Sequence, residues 1–205
     1  MIFSLEDKNS DLLYPHSLTR ASFEVRVGFY TLIERALNKA KSNDTVILKV
    51  RSDIKDVIAE RYPQCKVVDL SCRDSYEEGS KMDIPVESLW DAIYLNNEML
   101  CNDFKGSDTN HLNKSSLINS TVYGKSVYIS HLAEVKSSIL DSEPGPIYID
   151  EGASVGPGAM IRGPVYIGRN SIINPGSRIG GGVSIGPLCK VGGEVEDSII
   201  EGYSN

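Results

Sequence analysis

Aliphatic residues recur at every sixth position through the last quarter of the chain. The first set continues without a slip through Ile149, Val155, Ile161, Ile167, Ile173, Ile179, Ile185 and Val191. Four positions after each of these stands a second small or apolar residue: Ala153, Ala159, Val165, Ser171, Ser177, Val183, Cys189 and Val195. Neither a helix of about 3.6 residues per turn nor an alternating strand produces a period of six. Hexapeptide repeats predict a left-handed parallel β-helix, in which three hexads form one triangular coil and the aliphatic residues point into the prism.

The six-residue period is looser before residue 149. The apolar residues that fit earlier coils are Leu117, Val122, Val127, Ile129, Ala133, Val135 and Ile139. Between these coils and the regular ones, Asp141–Pro146 (DSEPGP) is predicted to add two residues as an outward bulge. The sequence therefore predicts four to five coils.

Alternating strands and helices are predicted for the first 105 residues. The predicted strands are Met1–Leu5, Thr45–Val50 and Lys66–Leu70. The predicted helices are a stripe from Phe23 to Ala40, a segment capped by Ser52 or Asp53 that ends before Pro63, and a last helix that opens at Asp83 and Pro85 and carries Leu89, Trp90, Ile93 and Leu100. This order indicates a small, mostly parallel α/β sheet.

Composition divides the chain into two domains. Fifteen of the 18 glycines and six of the nine prolines lie in residues 124–205, where turns recur every few residues. We predict a small α/β domain over residues 1–105, a linker over 106–116 and the β-helix over 117–205.

Charge and cysteine spacing limit the partners and the compartment. The formal net charge of −7 includes no basic stripe, which argues against nucleic-acid and anionic-membrane partners. No cationic leader and no apolar run of membrane-spanning length is present. The four cysteines, which form no CxxC pair, are Cys65, Cys72, Cys101 and Cys189. A cytoplasmic protein with reduced thiols is predicted.

The loop between the first strand and the first helix, Asp7–Ala21, contains the most suggestive chemistry of the first half. Loops at the carboxyl ends of strands are where open α/β sheets bind ligands. The arginines Arg20 and Arg26 and the hydroxyls of Ser17 and Thr19 suit phosphate recognition, because guanidinium groups pair with phosphate oxygens bidentately. The alternative, which the spacing alone favours, is a loop with two solvated arginines. No GxGxxG or GxxxxGK[ST] motif is present.

Several segments resemble one family of sugar nucleotidyltransferases. Leu13–Gly28 (LYPHSLTRASFEVRVG) is similar to a family pattern that runs approximately L-x-P-L-T-x-T-R-P followed by R-x-G, although Ser17 replaces a Thr and Ala21 replaces a Pro. The residues that match this pattern, and that the resemblance implies to bind nucleotide or phosphate, are Pro15, Thr19, Arg20, Arg26 and Gly28. Further similar segments are Ser88–Ile93, Gly145–Ile149, Ile161–Pro164, Gly186–Val195 and Gly202–Asn205. This archaeal and Bacteroidetes family resembles the bifunctional N-acetylglucosamine-1-phosphate uridylyltransferase and glucosamine-1-phosphate acetyltransferase.

The resemblance implies a transferase of sugar-nucleotide biosynthesis that forms a homotrimer. Nucleotidyl transfer would use Mg²⁺ held by carboxylates, for which Asp53 and Asp69 are only candidates. Because the G-x-G-T-R start and the usual lysine are missing, weak or absent nucleotidyl transfer is expected. Acetyl transfer would use acetyl-coenzyme A, and the residues that the resemblance places beside the acyl site are Glu194, Tyr203 and Asn205.

The family's catalytic histidine would follow Asn205, so no catalytic residue is assigned. We expect His16, His111 and His131 to be non-catalytic. The exposed last coil is interpreted as the end of a fragment of a longer protein or as a surface that a partner covers.

The sequence leaves two alternative functions. One is a non-catalytic, trimeric nucleotide-binding or scaffold protein. The other is a γ-class carbonic anhydrase, which needs three histidines around zinc, whereas residues 132–205 contain none.

Overall fold

The computed structural model describes residues 2–71, 86–107 and 116–205. The helices and strands before residue 107 are β1 (Ile2–Glu6), β2 (Arg26–Val27), β3 (Tyr30–Thr31), α1 (Leu32–Lys39), β4 (Thr45–Val50), α2 (Lys55–Arg61), β5 (Lys66–Asp69) and α3 (Leu89–Gly106). Short 3-10 helices occupy Ser10–Leu13, His16–Leu18, Ser22–Glu24 and Ser52–Ile54.

A three-stranded parallel sheet forms the first part of the chain, in the order β1-β4-β5. Ile2 pairs with Thr45 and Ile47 pairs with Lys66. Helices α1 and α2 connect the strands, and their apolar side chains form one buried cluster with the sheet that includes Leu48 and Ile58. The predicted small parallel α/β sheet is confirmed.

The first helix begins nine residues later than the predicted stripe from Phe23. Gly28 has a φ of 73°, a left-handed conformation that an α-helix does not tolerate. The helix starts instead after Thr31, whose hydroxyl accepts from Glu34 N at 3.2 Å while the Glu34 carboxylate accepts from Thr31 N at 2.7 Å. This capping box, and not the apolar period, determines the first residue of α1.

The predicted cap of α2 is also wrong. Neither Ser52 nor Asp53 caps the helix, because both lie in a 3-10 turn that precedes it. The Ser52 hydroxyl donates to the Asp69 carboxylate at 2.6 Å instead. The predicted end before Pro63 is confirmed at Arg61. Asp83 and Pro85, the predicted start of α3, lie outside the described residues, as do Cys72 and His111.

Fifteen short strands follow, and they form three parallel sheets of five strands each. They are β6 (Leu117–Ile118), β7 (Thr121–Tyr123), β8 (Val127–Ile129), β9 (Glu134–Lys136), β10 (Ile139–Asp141), β11 (Ile147–Ile149), β12 (Ser154–Val155), β13 (Met160–Arg162), β14 (Val165–Ile167), β15 (Ile172–Ile173), β16 (Arg178–Ile179), β17 (Val183–Ile185), β18 (Lys190–Val191), β19 (Glu194–Val195) and β20 (Ile199–Ile200). The sheets are the three sides of a left-handed β-helix with five coils in the part of the chain that the structure describes.

The interior of the prism follows the hexads. All eight residues of the first periodic set and the first seven of the second set are buried, whereas Val195 in the last coil is only partly buried. Ile147 pairs with Val165, and Val165 pairs with Val183, so one regular coil takes 18 residues. Each inward side chain therefore stacks on its equivalent in the next coil at about the strand spacing of 4.8 Å.

One predicted inward residue is wrong. Ile139 is 37% exposed and its neighbour Leu140 is fully buried, so Leu140 pairs with Ile161 in the core column. The preceding repeat is one residue shorter than a regular hexad. Ser137 forms the turn of this repeat with a φ of 45°. The insertion at Asp141–Pro146 adds three residues and not the predicted two, since five residues separate β10 from β11 whereas two separate β13 from β14.

The described chain separates into two compact units. The first unit comprises residues 1–25 and 30–92, and the second comprises residues 26–29 and 93–205. This division differs from the predicted boundaries in assigning residues 93–105 and Arg26–Phe29 to the unit of the prism. The boundaries of the two domains stay a prediction.

Candidate functional site

A groove of about 500 Å³ lies on the outer face of the sheet β7-β10-β13-β16-β19. It is lined by Met160, Arg162, Arg178, Ile179, Gly180, Glu194, Val195 and Glu196. Successive side chains of a strand point to opposite faces, so the residues on either side of each inward aliphatic residue point out of the prism. The outward residues form two columns, one that runs through Met160, Arg178 and Glu194 and one that runs through Arg162 and Gly180.

Two arginines supply the positive charge of this groove. Arg162 Nε lies 3.8 Å from Asp141 Oδ2, and Arg178 Nη1 lies 3.7 Å from Glu194 Oε1. The arginine side chains are 67% and 66% exposed. Exposed ion pairs of this length contribute about 0–1 kcal/mol, so an anionic ligand can replace either carboxylate at little cost. Both guanidinium groups are therefore available for phosphate.

Exposed apolar residues also lie on this face, both on the coils before Arg162 and on its own strand. Ile139 pairs with Met160, and these side chains are 37% and 44% exposed. Tyr123, in the neighbouring column, is 51% exposed. Asp141 stands between Tyr123 and Arg162 in that column, so apolar and charged residues are mixed on this face.

The three predicted acyl-site residues do not all lie together. Glu194 lines the groove, whereas Tyr203 is 74% exposed and, like the exposed Asn205, is not part of the groove lining. His131 is exposed in the turn between β8 and β9, and it does not line the groove either.

The first unit carries a second pocket, of about 350 Å³, at the carboxyl ends of β1 and β4. It is lined by Ser10, Asp11, Tyr14, Ser17, Leu18, Arg51 and Asp53. Arg51 immediately follows β4 and organises this site. Its Nη1 lies 3.2 Å from Asp7 Oδ2, its Nη2 donates to the Ser17 carbonyl at 2.6 Å, and its Nε donates to Asp53 Oδ1 at 3.4 Å. Asp7 itself is fully buried at its side chain.

The predicted phosphate residues of this loop lie next to the pocket lining and not in it. Pro15 and Thr19 are exposed, and Arg20 is partly exposed. The Thr19 carbonyl accepts from Arg61, which also pairs with the buried Glu24 carboxylate at 3.0 Å. These contacts of Arg61 therefore fix the position of the loop. Whether these residues bind phosphate stays a prediction.

Arg26 and Gly28 belong to the second unit and take part in its packing. Gly28 N donates to Asn96 Oδ1 and Gly28 O accepts from Ser184 Oγ, each at 2.8 Å. Arg26 is 3% exposed, its guanidinium donates to the Phe29 carbonyl, and its Cζ lies 5.9 Å from the centre of the Tyr166 ring. A buried guanidinium held in this way serves packing, so we interpret the R-x-G segment as a structural element.

Aromatic rings on the sheet β8-β11-β14-β17-β20 pack against the same segment of the second unit. The Phe29 ring lies 4.7 Å from the Tyr148 ring and 4.8 Å from the Tyr166 ring, and Tyr128 stacks on Tyr148 at 4.4 Å. Centroid distances of this size are typical of favourable aromatic pairs. The Tyr166 hydroxyl donates to Asp150 at 3.0 Å.

The two carboxylates predicted for Mg²⁺ have different environments. Asp53 lines the pocket and lies beside Arg51, whereas Asp69 does not line it. The hydroxyls of Ser52 and Ser71 donate to Asp69 and lower its pKa to about 2. No group of three or more acidic, histidine or cysteine side chains within the described ranges is arranged to hold a metal ion. These donors do not fit a metal held by both carboxylates, so the residues for Mg²⁺ stay a prediction.

Several of these groups were missed from the sequence. Arg51 had a signal, since it directly follows a buried strand just as Asp7 does. Arg162 and Arg178 also had one, because they occupy outward positions of the hexads. Asn96 had none, since its three hydrogen-bonding partners come from distant parts of the sequence.

Residues 146–181 match the family model described as bacterial transferase hexapeptide (six repeats). This segment contains β13, β14 and part of the groove, and the family's description favours acyl or sugar transfer in general. A comparison with curated proteins gives no match. No helix within the described ranges has both the length and the apolar character needed to cross a membrane.

Proposed function

We propose that this chain is a hexapeptide-repeat acyltransferase that transfers an acetyl group from acetyl-coenzyme A to the amine of a sugar phosphate. The observation that carries the proposal is the pair of weakly held arginines, Arg162 and Arg178, in a groove on the repeats. Coenzyme A and a sugar phosphate both present phosphate groups, for which guanidinium is the preferred protein partner.

The transfer itself is a substitution at the thioester carbon. The amine nitrogen bonds to the acyl carbon, the carbon–sulfur bond breaks, and the proton lost by nitrogen balances the thiol that leaves. Glu194 lies beside Arg178, and its carboxylate suits a hydrogen bond from the neutral amine of the acceptor. The groove residues contribute by positioning both substrates.

A kinetic comparison of two arginine variants tests this function. Release of free thiol from acetyl-coenzyme A in the presence of glucosamine 1-phosphate is measured for the wild type, Arg178→Ala and the control Arg169→Ala. Arg169 is 60% exposed and pairs with Glu151 outside the groove. We expect Arg178→Ala to raise KM for one substrate about ten- to a hundredfold, since hydrogen bonds to charged groups contribute about 1.5–3 kcal/mol. Equal kinetics for the two variants contradict the groove as the site.

For the first unit we propose ligand binding with weak or absent nucleotidyl transfer. The pocket holds the carboxylates of Asp11 and Asp53, and its one arginine already contacts three acceptors. This environment opposes the binding of a triphosphate without additional positive charge. UTP turnover with N-acetylglucosamine 1-phosphate and Mg²⁺ above the enzyme-free rate contradicts this part of the proposal.

The second candidate is a trimeric binding or scaffold protein without turnover. It is favoured by the exposed position of His131 away from the groove, because acyl transfer to an amine benefits from a general base. We propose a homotrimer in both cases, by analogy with hexapeptide transferases. Coenzyme A binding in calorimetry without thiol release, at a mass of three chains in light scattering, selects the second candidate.

A further inference from the structure

The pocket at the carboxyl ends of β1 and β4 carries an excess of negative charge. Its charged lining residues are Asp11, Arg51 and Asp53. Arg51 is already paired below the lining, because its Nη1 lies 3.2 Å from the carboxylate of Asp7, whose side chain is fully buried. Asp53 is 68% exposed and receives only a long contact of 3.4 Å from Arg51 Nε, and Asp11 is not an ion-pair partner of this arginine. Three carboxylates thus stand against one guanidinium group.

A buried hydroxyl of the same pocket is left without a partner in the described part of the chain. Ser17 lines the pocket and is 8% exposed. Its carbonyl accepts from Arg51 Nη2 at 2.6 Å, whereas its hydroxyl forms no hydrogen bond with any residue in the described ranges. Because a buried polar group without a partner is disfavoured, this oxygen is suited to accept from an N–H of a bound molecule.

Two apolar side chains complete the lining. Tyr14 is 65% exposed and Leu18 is 61% exposed, and both line the pocket. Single exposed apolar residues are ordinary, but these two share one pocket with the carboxylates. The face of a tyrosine ring attracts cations, and a leucine side chain favours contact with hydrocarbon. The lining therefore combines acceptors for a cation with apolar contacts for a carbon chain.

We propose that this pocket binds a protonated aliphatic amine, with its ammonium groups on Asp11 and Asp53 and its hydrocarbon body against Tyr14 and Leu18. The inference rests on the ligand binding proposed for the first unit and names the class of that ligand. An ammonium group has three N–H donors and no acceptor, so it suits the carboxylates and the Ser17 hydroxyl. The volume of about 350 Å³ lies within the range of small-molecule sites, roughly 300–1,000 Å³.

Three five-carbon compounds that differ in their end groups test the proposal. They are cadaverine, pentanediol and glutarate, which are cationic, neutral and anionic at neutral pH. Each is titrated into the full chain while the methyl signals of Leu18 are followed by NMR. We expect cadaverine to bind about tenfold or more tightly than pentanediol, because charge-assisted hydrogen bonds are about twice as strong as neutral ones. Glutarate should not bind, because the excess negative charge repels it.

Asparagine variants locate the bound amine. Asp11→Asn and Asp53→Asn should each weaken cadaverine binding about fivefold or more, because each removes one negative charge and keeps the shape of the side chain. Asp56→Asn is the matched control, since Asp56 is exposed on α2, does not line the pocket and loses the same charge. Its affinity for cadaverine should stay within about twofold of the wild type. Thermal unfolding monitored by circular dichroism shows whether each variant is folded.

The remaining outcomes separate the class of the ligand from ligand binding itself. Equal affinities for cadaverine and pentanediol overturn the amine assignment and leave a pocket for a neutral ligand. Tighter binding of glutarate assigns an anion to Arg51 and also overturns it. Equal losses in Asp56→Asn and the two pocket variants show non-specific attraction to an acidic chain and overturn the inference. Absence of binding by all three compounds overturns it as well, and a parallel titration with UTP and Mg²⁺ then decides whether the first unit binds a ligand at all.

Discussion

Asn96 binds the backbone of Gly28 across 68 positions of sequence. Its Oδ1 accepts from Gly28 N at 2.8 Å and, at 2.8 Å, shares the Ser184 hydroxyl hydrogen with the Gly28 carbonyl, while its Nδ2 donates to the Gly182 carbonyl at 2.8 Å. Asn96 is only 1% exposed. One amide side chain thus joins helix α3, the Arg26–Phe29 segment and the prism within the second unit.

Asn96→Ala is expected to lower the free energy of unfolding by about 2–4 kcal/mol. The substitution leaves Gly28 N and the Gly182 carbonyl without these partners in a buried site, and each unsatisfied group carries a penalty of about 1–3 kcal/mol. Urea unfolding measures the change. Asn97→Ala is the matched control, because Asn97 is the next residue on α3 and is exposed, so that a change within about 0.5 kcal/mol is expected. Similar values for the two variants show that the three hydrogen bonds do not stabilise the fold.

Two adjacent isoleucines of β15 test the interior of the prism. Ile173 is fully buried and Ile172 is 46% exposed on the opposite face of the strand. Ile173→Ala should lower the free energy of unfolding by about 2–5 kcal/mol, since it removes buried methylenes and leaves a cavity. Ile172→Ala should change it by less than about 1 kcal/mol. Denaturant unfolding of both variants measures these changes. Equal losses of unfolding free energy contradict the conclusion that the hexad period identifies the core.

The period itself explains why the prism could be predicted from the sequence. Inward positions such as Ile149 and Ile167 have the same local environment in successive coils. Many residues therefore give the same evidence for the prism. The exception, Leu140 in place of Ile139, arises where a short turn through Ser137 breaks the period. Register is predictable only while the spacing is regular.

The candidate sites were less predictable, because their contacts join distant segments. The R-x-G pattern gave Arg26 and Gly28 as candidates for phosphate binding, but it did not reveal that both are buried in packing. The importance of Arg51 depends on Asp7 and on the Ser17 carbonyl, which come from two other segments. A motif shows which residues are special, whereas their partners depend on the tertiary fold.

Arg51→Met is expected to destabilise the first unit by about 3 kcal/mol. The variant leaves the buried Asp7 carboxylate without its guanidinium partner, which is the costly way to break such a pair. Arg162→Met serves as the control, since Arg162 forms an exposed ion pair at 3.8 Å and should change stability by less than about 1 kcal/mol. Chemical denaturation gives both values, and equal effects contradict the role of Arg51.

Removing the Asp7 charge provides a second check on Arg51. Asp7→Asn combined with Arg51→Met should recover part of the lost stability, because the amide oxygen still accepts from Ser22 N, as Asp7 Oδ1 does at 2.7 Å. A double variant less stable than Arg51→Met alone shows that the buried charge is not the source of the destabilisation.

His16 should make the stability of the first unit dependent on pH. Burial, and then the positive charge of Arg20, lowers the pKa of His16 from 6.5 to about 4, although Glu24 and Asp7 oppose this. The folded state therefore favours the neutral imidazole, while the unfolded chain takes up a proton near pH 6.5. The contribution of His16 to stability is complete above pH 6.5 and is lost progressively as the pH falls toward 4.

Urea midpoints measured from pH 7.5 to pH 4 check the role of His16. The wild type should lose stability across this range more steeply than His16→Gln, which cannot take up the proton. His131→Gln is the matched control, since that imidazole is exposed and its removal should keep the wild-type slope. Arg20→Gln should raise the pKa of His16 in an NMR titration of its ring, because one of the two causes that lower it is removed. Identical slopes for the wild type and His16→Gln contradict a buried neutral imidazole, since a solvated ring protonates equally in both states.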